Sequence, residues 1–212
     1  SEQREQFFST VSHELRTPLT AVAAFADILH RNRPSNLTGT QLNQVDVIRR
    51  NGETLKNLVE DMLDMSQASN NSLNINRVPF EINEMINAVV ESLIPTARER
   101  SQSISVRLGT AGVWIDADKD RLTQVLSNLV TNASKYSPEK HSISIETRSA
   151  AGKLEIKVSD SGYGMAKEDL RMLFAPFYRS NREEIRNATG TGLGMSISKT
   201  LVELRGGEIE VE

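Results

Sequence analysis

The polar segment SHELRTPLT, residues 12–20, interrupts an amphipathic helical pattern and contains one histidine. His13 lies two residues before the apolar position Leu15, about 200° away around a helix, which predicts that it faces water. Thr17 follows four residues later and therefore lies on the same side of the helix. Pro18 removes one backbone hydrogen bond, which predicts a kinked or weakened turn beside the histidine. Exposed histidines without a role are common, so this segment does chemistry only if the chain also supplies a reactant.

A polar stripe follows one side of a helix that begins near Asp118, a predicted N-cap. Asn128, Asn132 and Lys135 are four and three residues apart, so their side chains line up beside the buried face. Asparagine is a mediocre helix former, but its amide oxygen suits Mg²⁺, and lysine suits phosphate oxygens. The stripe therefore predicts either a magnesium and phosphate site or a solvated helix edge.

Asp160 ends a strand pattern of alternating apolar and polar residues. It shares the parity of the apolar residues, which predicts that it points to the buried side of a sheet. A buried carboxylate needs hydrogen-bond donors, and an adenine amino group is a suitable one. Gly162 and Gly164 would then let the backbone pass close to the base, although a simple Asp-Ser-Gly turn is the alternative. The residues that share its parity are Leu154, Ile156 and Val158.

Three glycines, Gly190, Gly192 and Gly194, directly precede the last helical pattern. They place flexible backbone and free N–H groups at a helix N-terminus, where anionic phosphates bind well. The charged stretch over residues 179–187 predicts either a mobile lid or a surface loop without function.

The composition limits the class of protein. The chain has 212 residues, of which 38% are hydrophobic and 25% charged, with a net charge of −3 and no cysteine. These values are typical of a soluble globular protein, and they argue against a broad basic surface for nucleic acid and against disulfide or thiolate chemistry. The longest apolar run, residues 21–29, falls short of the roughly 20 residues of a membrane span. The helical pattern opens at Ser1 without a cap, which predicts that the natural protein extends upstream.

Two amphipathic helices, separated by a breaker-rich turn over residues 31–40, predict a helical hairpin at the start of the chain. Its apolar stripe predicts a homodimeric four-helix bundle, and packing against the rest of the same chain is the alternative. The stripe consists of Phe8, Val11, Leu15, Val22 and Leu29, followed by Val45, Ile48, Leu55, Val59 and Met62.

An Asn- and Ser-rich segment over residues 66–77 marks a domain boundary. We assign residues 1–70 to the helical domain, 71–77 to a linker and 78–212 to a second domain. The second domain mixes helical and strand patterns, which predicts an α+β fold with one sheet and helices on one face. The predicted elements are a helix over 80–100, strands over 103–108 and 113–115, a helix over 118–137, a hairpin over 142–162 that turns at Gly152, a helix over 192–205 and a strand beginning in GGEIEVE.

Five segments, in this order, resemble the sequence boxes of the sensor histidine kinases of two-component systems. SHELRTPLT resembles the phospho-acceptor box, NLVTNASKY the N box, DSGYGM the first glycine box, FAPFYR the F box and GTGLGM the second glycine box. The resemblance covers nearly the whole chain. It implies a dimerisation and histidine-phosphotransfer hairpin, followed by an α/β sandwich ATP-binding domain of the gyrase, MutL and histidine kinase type. The family usually continues past GGEIEVE with another glycine-containing turn and a final strand, so either the sheet lacks an edge strand or this chain is truncated before it.

The resemblance also implies roles for single residues. His13 would accept the γ-phosphoryl group of ATP, Glu14 would activate its imidazole, and Thr17 would serve in dephosphorylating the partner. Asn132, helped by Asn128, would bind Mg²⁺. The implied nucleotide-binding residues are Asn128, Asn132, Lys135, Tyr136, Asp160, Gly162, Gly164, Arg179, Gly190, Thr191, Gly192, Leu193 and Gly194.

The implied activity is autophosphorylation of His13 from Mg-ATP, followed by transfer to an aspartate of a response-regulator receiver domain. A protein that acts mainly as a phosphatase of that regulator, and an ATP-binding dimeric scaffold without transfer, are the alternatives. The resemblance further implies a homodimer and an upstream sensor module that this chain lacks. No nucleic-acid partner is expected, because the net charge is negative. The expected location is the cytoplasm, either as a cytoplasmic protein or as the cytoplasmic part of a membrane-bound sensor.

Overall fold

The computed structural model divides the chain into two compact units, Ser1–Leu73 and Asn74–Glu212. Side chains are described from Leu15 onward, except those of residues 68 and 69. Within the residues that the structure describes, no helix is long and apolar enough to cross a membrane. The residues that the structure describes are 2–31, 35–69, 76–109, 112–150, 152–182, 191–204 and 206–212.

The first unit is a hairpin of two long helices, α1 (Glu2–His30) and α2 (Gly39–Ser69), as predicted. A reciprocal pair of hydrogen bonds begins α2: the Thr38 N–H donates to Gln41 Oε1 at 2.8 Å, and the Gln41 N–H donates to Thr38 Oγ1 at 3.3 Å. This capping box satisfies two backbone donors that a helix start leaves without partners.

The predicted apolar stripe is only partly covered within this unit. Val59 is buried, but five members remain exposed. Phe25, outside the stripe, is the most exposed large apolar residue described in the unit, at 67%. The hairpin therefore presents apolar surface that its own two helices do not cover. The exposed stripe members are Leu15, Val22, Leu29, Ile48 and Leu55.

The second unit alternates strands and helices, which confirms the α+β class. Its hydrophobic core lies between the helices that begin at Ile82 and Lys119 and the strand that begins at Ser142. Each of these elements contributes buried residues, among them Ile86, Leu126 and Ile145 respectively. The elements in chain order are β1 (Val78–Glu81), α3 (Ile82–Glu99), β2 (Ser103–Arg107), β3 (Trp114–Ala117), α4 (Lys119–Lys135), β4 (Ser142–Ala150), β5 (Lys153–Asp160), α5 (Lys167–Met172) and α6 (Gly194–Glu203).

The strands among the described residues form two sheets, so the prediction of one sheet was wrong. β1 pairs antiparallel with β3, and Val78 lies opposite Ala117. β4 lies between β2, which is parallel to it, and β5, which is antiparallel. The β4–β5 hairpin is confirmed, and Gly152 turns it with a φ of 75° that glycine adopts readily. The two sheets are separate because β3 pairs with β1, whose last two residues the sequence pattern had assigned to a helix.

The predicted strand in GGEIEVE does not form among the described residues. Ile209 and Val211 are half-buried while Glu208 and Glu210 are exposed, so the alternation is present. A strand also requires a neighbour that shares its ladder of hydrogen bonds, and alternation alone does not supply one.

Asp118 caps the start of α4, as predicted. Its Oδ1 accepts the Arg121 N–H at 3.1 Å, and its Oδ2 accepts the Asn76 N–H at 3.0 Å. Such a cap contributes about 1 kcal/mol to a helix. It fixes where α4 begins and therefore the direction in which the asparagine stripe points.

Candidate functional site

The asparagine stripe of α4 faces α6, to which it is hydrogen-bonded. Asn128 Nδ2 donates to Ser198 Oγ at 2.9 Å, and Asn132 Nδ2 donates to Asn128 Oδ1 at 3.4 Å. Both ends of the Asn128 amide are therefore engaged within the protein. Asn132 donates through its nitrogen, which leaves its Oδ1 as the amide oxygen available to a ligand.

Gly194, the first residue of α6, permits this close approach. A Cβ atom at this position would lie 3.0 Å from Asn128 Nδ2 and 2.9 Å from its Cγ, and it would meet Asn128 Oδ1 as well. Any larger residue would therefore displace the asparagine amide. This contact gives Gly194 a steric role in addition to its place at a helix N-terminus.

The segment before α6 is compact. The Leu193 N–H donates to Thr191 Oγ1 at 3.2 Å, and the Leu193 side chain is completely buried. Gly192 has a φ of 74°, and a Cβ there would lie 2.8 Å from the carbonyl carbon of Phe177. Gly190 and most of the predicted lid fall outside the described residues, so their roles stay predictions.

Asp160 lies at the end of β5 and is exposed, so the prediction that it is buried was wrong. The apolar residues of the same strand face, Leu154, Ile156 and Val158, are half-buried, as expected. However, β5 ends at Asp160 and the chain turns at Gly162, so no further part of the sheet covers the carboxylate. Polar groups hold it instead: Oδ1 accepts the Gly162 N–H at 2.8 Å and the hydroxyl of Ser137 at 3.3 Å.

The two predicted glycines of this loop have different roles. A Cβ on Gly162 would lie 2.6 Å from Asp160 Oδ1 and 2.8 Å from Ser137 Oγ, and it would also meet the carbonyl oxygen of Tyr136. Gly164 has open space around it but a φ of 63°, which favours glycine. Gly162 is therefore required for space and Gly164 for backbone conformation.

The C-terminal end of α4 joins this loop to a pair of cationic side chains. Tyr136 caps α4, and its carbonyl oxygen accepts the Tyr163 N–H at 3.2 Å. Burial, followed by the nearby positive charge of Arg179, lowers the pKa of the half-buried Lys135 below its ordinary value. The positive charge of Arg179 thus acts on Lys135, and the combined positive charge favours an anionic ligand such as phosphate.

Sequence reasoning missed the residues that hold the predicted ones in place. Ser137 is completely buried and donates to Asp160, and Ser198 is buried and accepts from Asn128. Gln102 Nε2 donates to the carbonyls of Ser134, Ser137 and Pro138 at 2.9, 3.2 and 3.1 Å. For Ser198 a signal exists, because a hydroxyl beside the apolar Ile197 in a buried helix must find a partner.

In the first unit, His13 and Glu14 lie within α1, and their side chains fall outside the described residues. The predicted exposure of His13 therefore stays a prediction. Thr17 is exposed, and α1 continues as a helix through Pro18.

Two family models match the chain. The His Kinase A (phospho-acceptor) domain matches residues 3–71. The histidine kinase-, DNA gyrase B- and HSP90-like ATPase matches residues 117–212. The first match contains His13, and the second contains the asparagine stripe, Asp160 and the glycines before α6.

Among curated relatives, histidine protein kinase DivJ of Caulobacter vibrioides is 33% identical over 209 residues, covering 99% of this chain and 35% of DivJ. The autoinducer 2 sensor kinase/phosphatase LuxQ of Vibrio vulnificus is 34% identical over 215 residues, covering 99% of this chain and 25% of LuxQ. The chain thus spans about a third or less of the length of these relatives.

A solved structure, full-length ShkA in complex with AMPPNP, matches with a TM-score of 0.76 and 28% identity, covering 95% of this chain and 41% of ShkA. The fold therefore agrees with the sequence relatives over nearly the whole chain. With a phospho-acceptor domain around His13 and an ATPase domain around the Asn132 and Asp160 site, the chain belongs to the sensor histidine kinases.

Proposed function

We propose that this chain is an autokinase core, which binds Mg-ATP in its second unit and transfers the γ-phosphoryl group to His13. The observation that carries the proposal is the convergence of a fixed carboxylate, a free amide oxygen and two cations around the ends of α4 and β5. These groups complement adenine, Mg²⁺ and phosphate respectively.

Asp160 is proposed to bind the adenine amino group. Gly162 and Ser137 both donate to Oδ1, which orients the carboxylate and leaves Oδ2 for a further donor. A fixed acceptor at an exposed position selects an amino group and rejects a base that presents a carbonyl there.

The triphosphate is proposed to lie between α4 and the N-terminus of α6. Lys135 and Arg179 supply positive charge, and the N-terminus of α6, which begins at Gly194, favours anions. The Asn132 Oδ1 atom fits Mg²⁺, which accepts one or two protein oxygens together with substrate phosphates. When bound, Mg²⁺ neutralises charge on the transferring phosphoryl group.

His13 is proposed as the nucleophile. Its neutral imidazole, the main form of histidine above about pH 6.5, attacks the γ-phosphorus. The new N–P bond forms as the bond to the leaving ADP oxygen breaks, and Glu14 is proposed to take the imidazole proton. Transfer to an aspartate of a receiver domain is proposed as the next step, with signals arriving from an upstream sensor module.

The proposal is tested by incubating the chain with γ-labelled ATP and Mg²⁺. We expect covalent label that is stable in base and labile in acid, as a phosphorylated histidine is, and we expect none when EDTA removes the metal. Label that survives acid would contradict phosphorylation of histidine. ATP binding without any label would favour the dimeric scaffold.

A homodimer is the second part of the proposal. The apolar surface left exposed by α1 and α2 includes a groove of about 300 Å³. A second copy would cover it with the same apolar stripe and complete a four-helix bundle. The groove is lined by Ala21, Val22, Phe25, Ala26, Leu29, Val45 and Ile48.

Phe25→Glu is expected to convert this dimer into monomers, because it would bury a carboxylate in the apolar interface without a partner. Light scattering after size-exclusion chromatography measures the mass. Asn57→Glu is the matched control, since Asn57 is exposed and lies two residues from both Leu55 and Val59, on the opposite side of α2. Equal masses for the two variants would exclude this groove as the interface.

Phosphatase activity toward the receiver is a second candidate function. Thr17 is exposed one helical turn after His13, and LuxQ, one of the relatives, is named a kinase and phosphatase. If this candidate is right, a Thr17→Ala variant acquires label from ATP normally but leaves the phosphorylated receiver longer-lived.

A further inference from the structure

Asp169, on the short helix α5, is a buried carboxylate to which the proposed reaction assigns no role. It is only 9% exposed. Its two oxygens accept from different side chains of a following segment: Tyr178 Oη donates to Oδ1 at 2.7 Å, and Ser180 Oγ donates to Oδ2 at 3.1 Å. A hydrogen bond to an ionised group is worth about twice a neutral one, so this attachment is strong.

Arg179 is the residue between the two that Asp169 holds. Its backbone is therefore anchored on both sides by one carboxylate. Ser180 Oγ also accepts the Arg182 N–H at 3.4 Å, and Arg182 Nη1 donates to the carbonyls of Tyr163 and Gly164 at 3.3 and 3.0 Å. The segment is thus tied on its other side to the loop that follows Asp160.

The backbone of this segment requires such anchors. Phe177 has a φ of 63°, a conformation that costs a bulky residue energy and persists only where tertiary contacts impose it. On the opposite side, Gly192 lies so close that a Cβ there would be 2.8 Å from the Phe177 carbonyl carbon and 2.9 Å from the Tyr178 carbonyl oxygen.

We propose that Asp169 is a positioning residue: through Tyr178 and Ser180 it holds Arg179 beside Lys135, where both cations meet the nucleotide phosphates. This inference rests on the proposed function, to which it adds a residue outside the sequence boxes that resemble the family. The pKa shifts of the two partners are consistent with a strong bond between Tyr178 and Asp169. The hydrogen bond lowers the pKa of Asp169 and raises the pKa of Tyr178.

The inference predicts that Asp169→Asn and Arg179→Ala have the same consequence. We expect each to weaken Mg-ATP binding, measured by calorimetry, by about tenfold, as for loss of one charge-assisted contact. We expect the double variant to bind no more weakly than Arg179→Ala alone, because Asp169 acts only through Arg179. Effects that multiply in the double variant would overturn the inference.

A second readout needs no nucleotide. Loss of the Arg179 charge from beside Lys135 should raise the Lys135 pKa, and NMR titration should detect the same rise in Asp169→Asn as in Arg179→Ala. Asp169→Asn should also lower the Tyr178 pKa toward its ordinary value. An unchanged Lys135 pKa in Asp169→Asn would overturn the inference even if the kinase proposal is right. A raised Lys135 pKa in Asp169→Asn would support the inference even if no phosphoryl transfer occurs.

Glu168→Gln is the control for loss of negative charge alone, since Glu168 is exposed and lies next to Asp169. It should leave ATP affinity and the Lys135 pKa unchanged. If Asp169→Asn does not fold, Tyr178→Phe and Ser180→Ala each remove one of the two bonds and retain the carboxylate. Each variant should weaken ATP binding and raise the Lys135 pKa by less than Asp169→Asn does. If neither variant changes the ATP affinity or the Lys135 pKa, the positioning role is refuted.

Discussion

Replacing His13 by alanine is expected to abolish phosphoryl incorporation from γ-labelled ATP while leaving ATP affinity close to that of the wild type. Alanine has no nucleophilic atom, and the groups proposed to bind the nucleotide belong to the second unit. The measurement compares base-stable, acid-labile label with calorimetric ATP affinity for the same preparation. Loss of label without loss of affinity separates the acceptor from the nucleotide site.

Thr17→Ala is the matched control, because it changes an exposed residue one turn further along α1 and leaves the proposed nucleophile in place. We expect it to acquire label at a rate near that of the wild type. Label that persists in His13→Ala would move the acceptor to another residue. A large loss of ATP affinity in that variant would instead connect α1 to nucleotide binding.

Asp160→Asn is expected to weaken ATP binding by about 10- to 150-fold, the equivalent of about 1.5–3 kcal/mol for a hydrogen bond to a charged group. The amide keeps an oxygen that can accept from Gly162 and Ser137, so the loop should stay in place. Its NH₂ group, however, would face the adenine amino group, and two donors cannot bond. Calorimetry with ATP and with GTP measures the change, and the preference for ATP should fall.

Glu155→Gln provides the control on the same strand, because Glu155 is exposed and has the opposite parity to Asp160, so it lies on the other face of β5. It should leave nucleotide affinity unchanged. Trp114, the single tryptophan, lies in the second unit and reports by fluorescence whether either variant unfolds that unit. Unchanged ATP affinity in a folded Asp160→Asn variant would exclude Asp160 as the adenine ligand.

The parts of the fold that depend on neighbours in the chain could be predicted from the sequence. The two helices of the hairpin, the cap at Asp118 and the β4–β5 turn at Gly152 each follow from residues within a few positions of one another. β1 was missed because its strand character depends on β3, more than thirty residues away, and its last two residues, Phe80 and Glu81, were included in the predicted helix.

The candidate site divides in the same way. The spacing of Asn128 and Asn132 predicted a shared stripe, and the structure brings the two amides into contact. The burial of Asp160 was predicted wrongly, because alternation along a strand shows which side chains share a face but not where that face stops being covered by other residues. The hydrogen-bond partners of Ser137 and Ser198 could not be assigned, since each partner is distant in the chain.

The contact between α4 and α6 has a consequence for how this chain can change over evolutionary time. Gly194, Asn128 and Ser198 depend on one another, because the glycine makes room for the amide and the hydroxyl accepts from it. A side chain at position 194 would require a smaller residue at 128, and the loss of asparagine there would leave Ser198 buried without its donor. The three positions are therefore expected to covary among relatives, and drift at one of them is tolerated only after compensation at another.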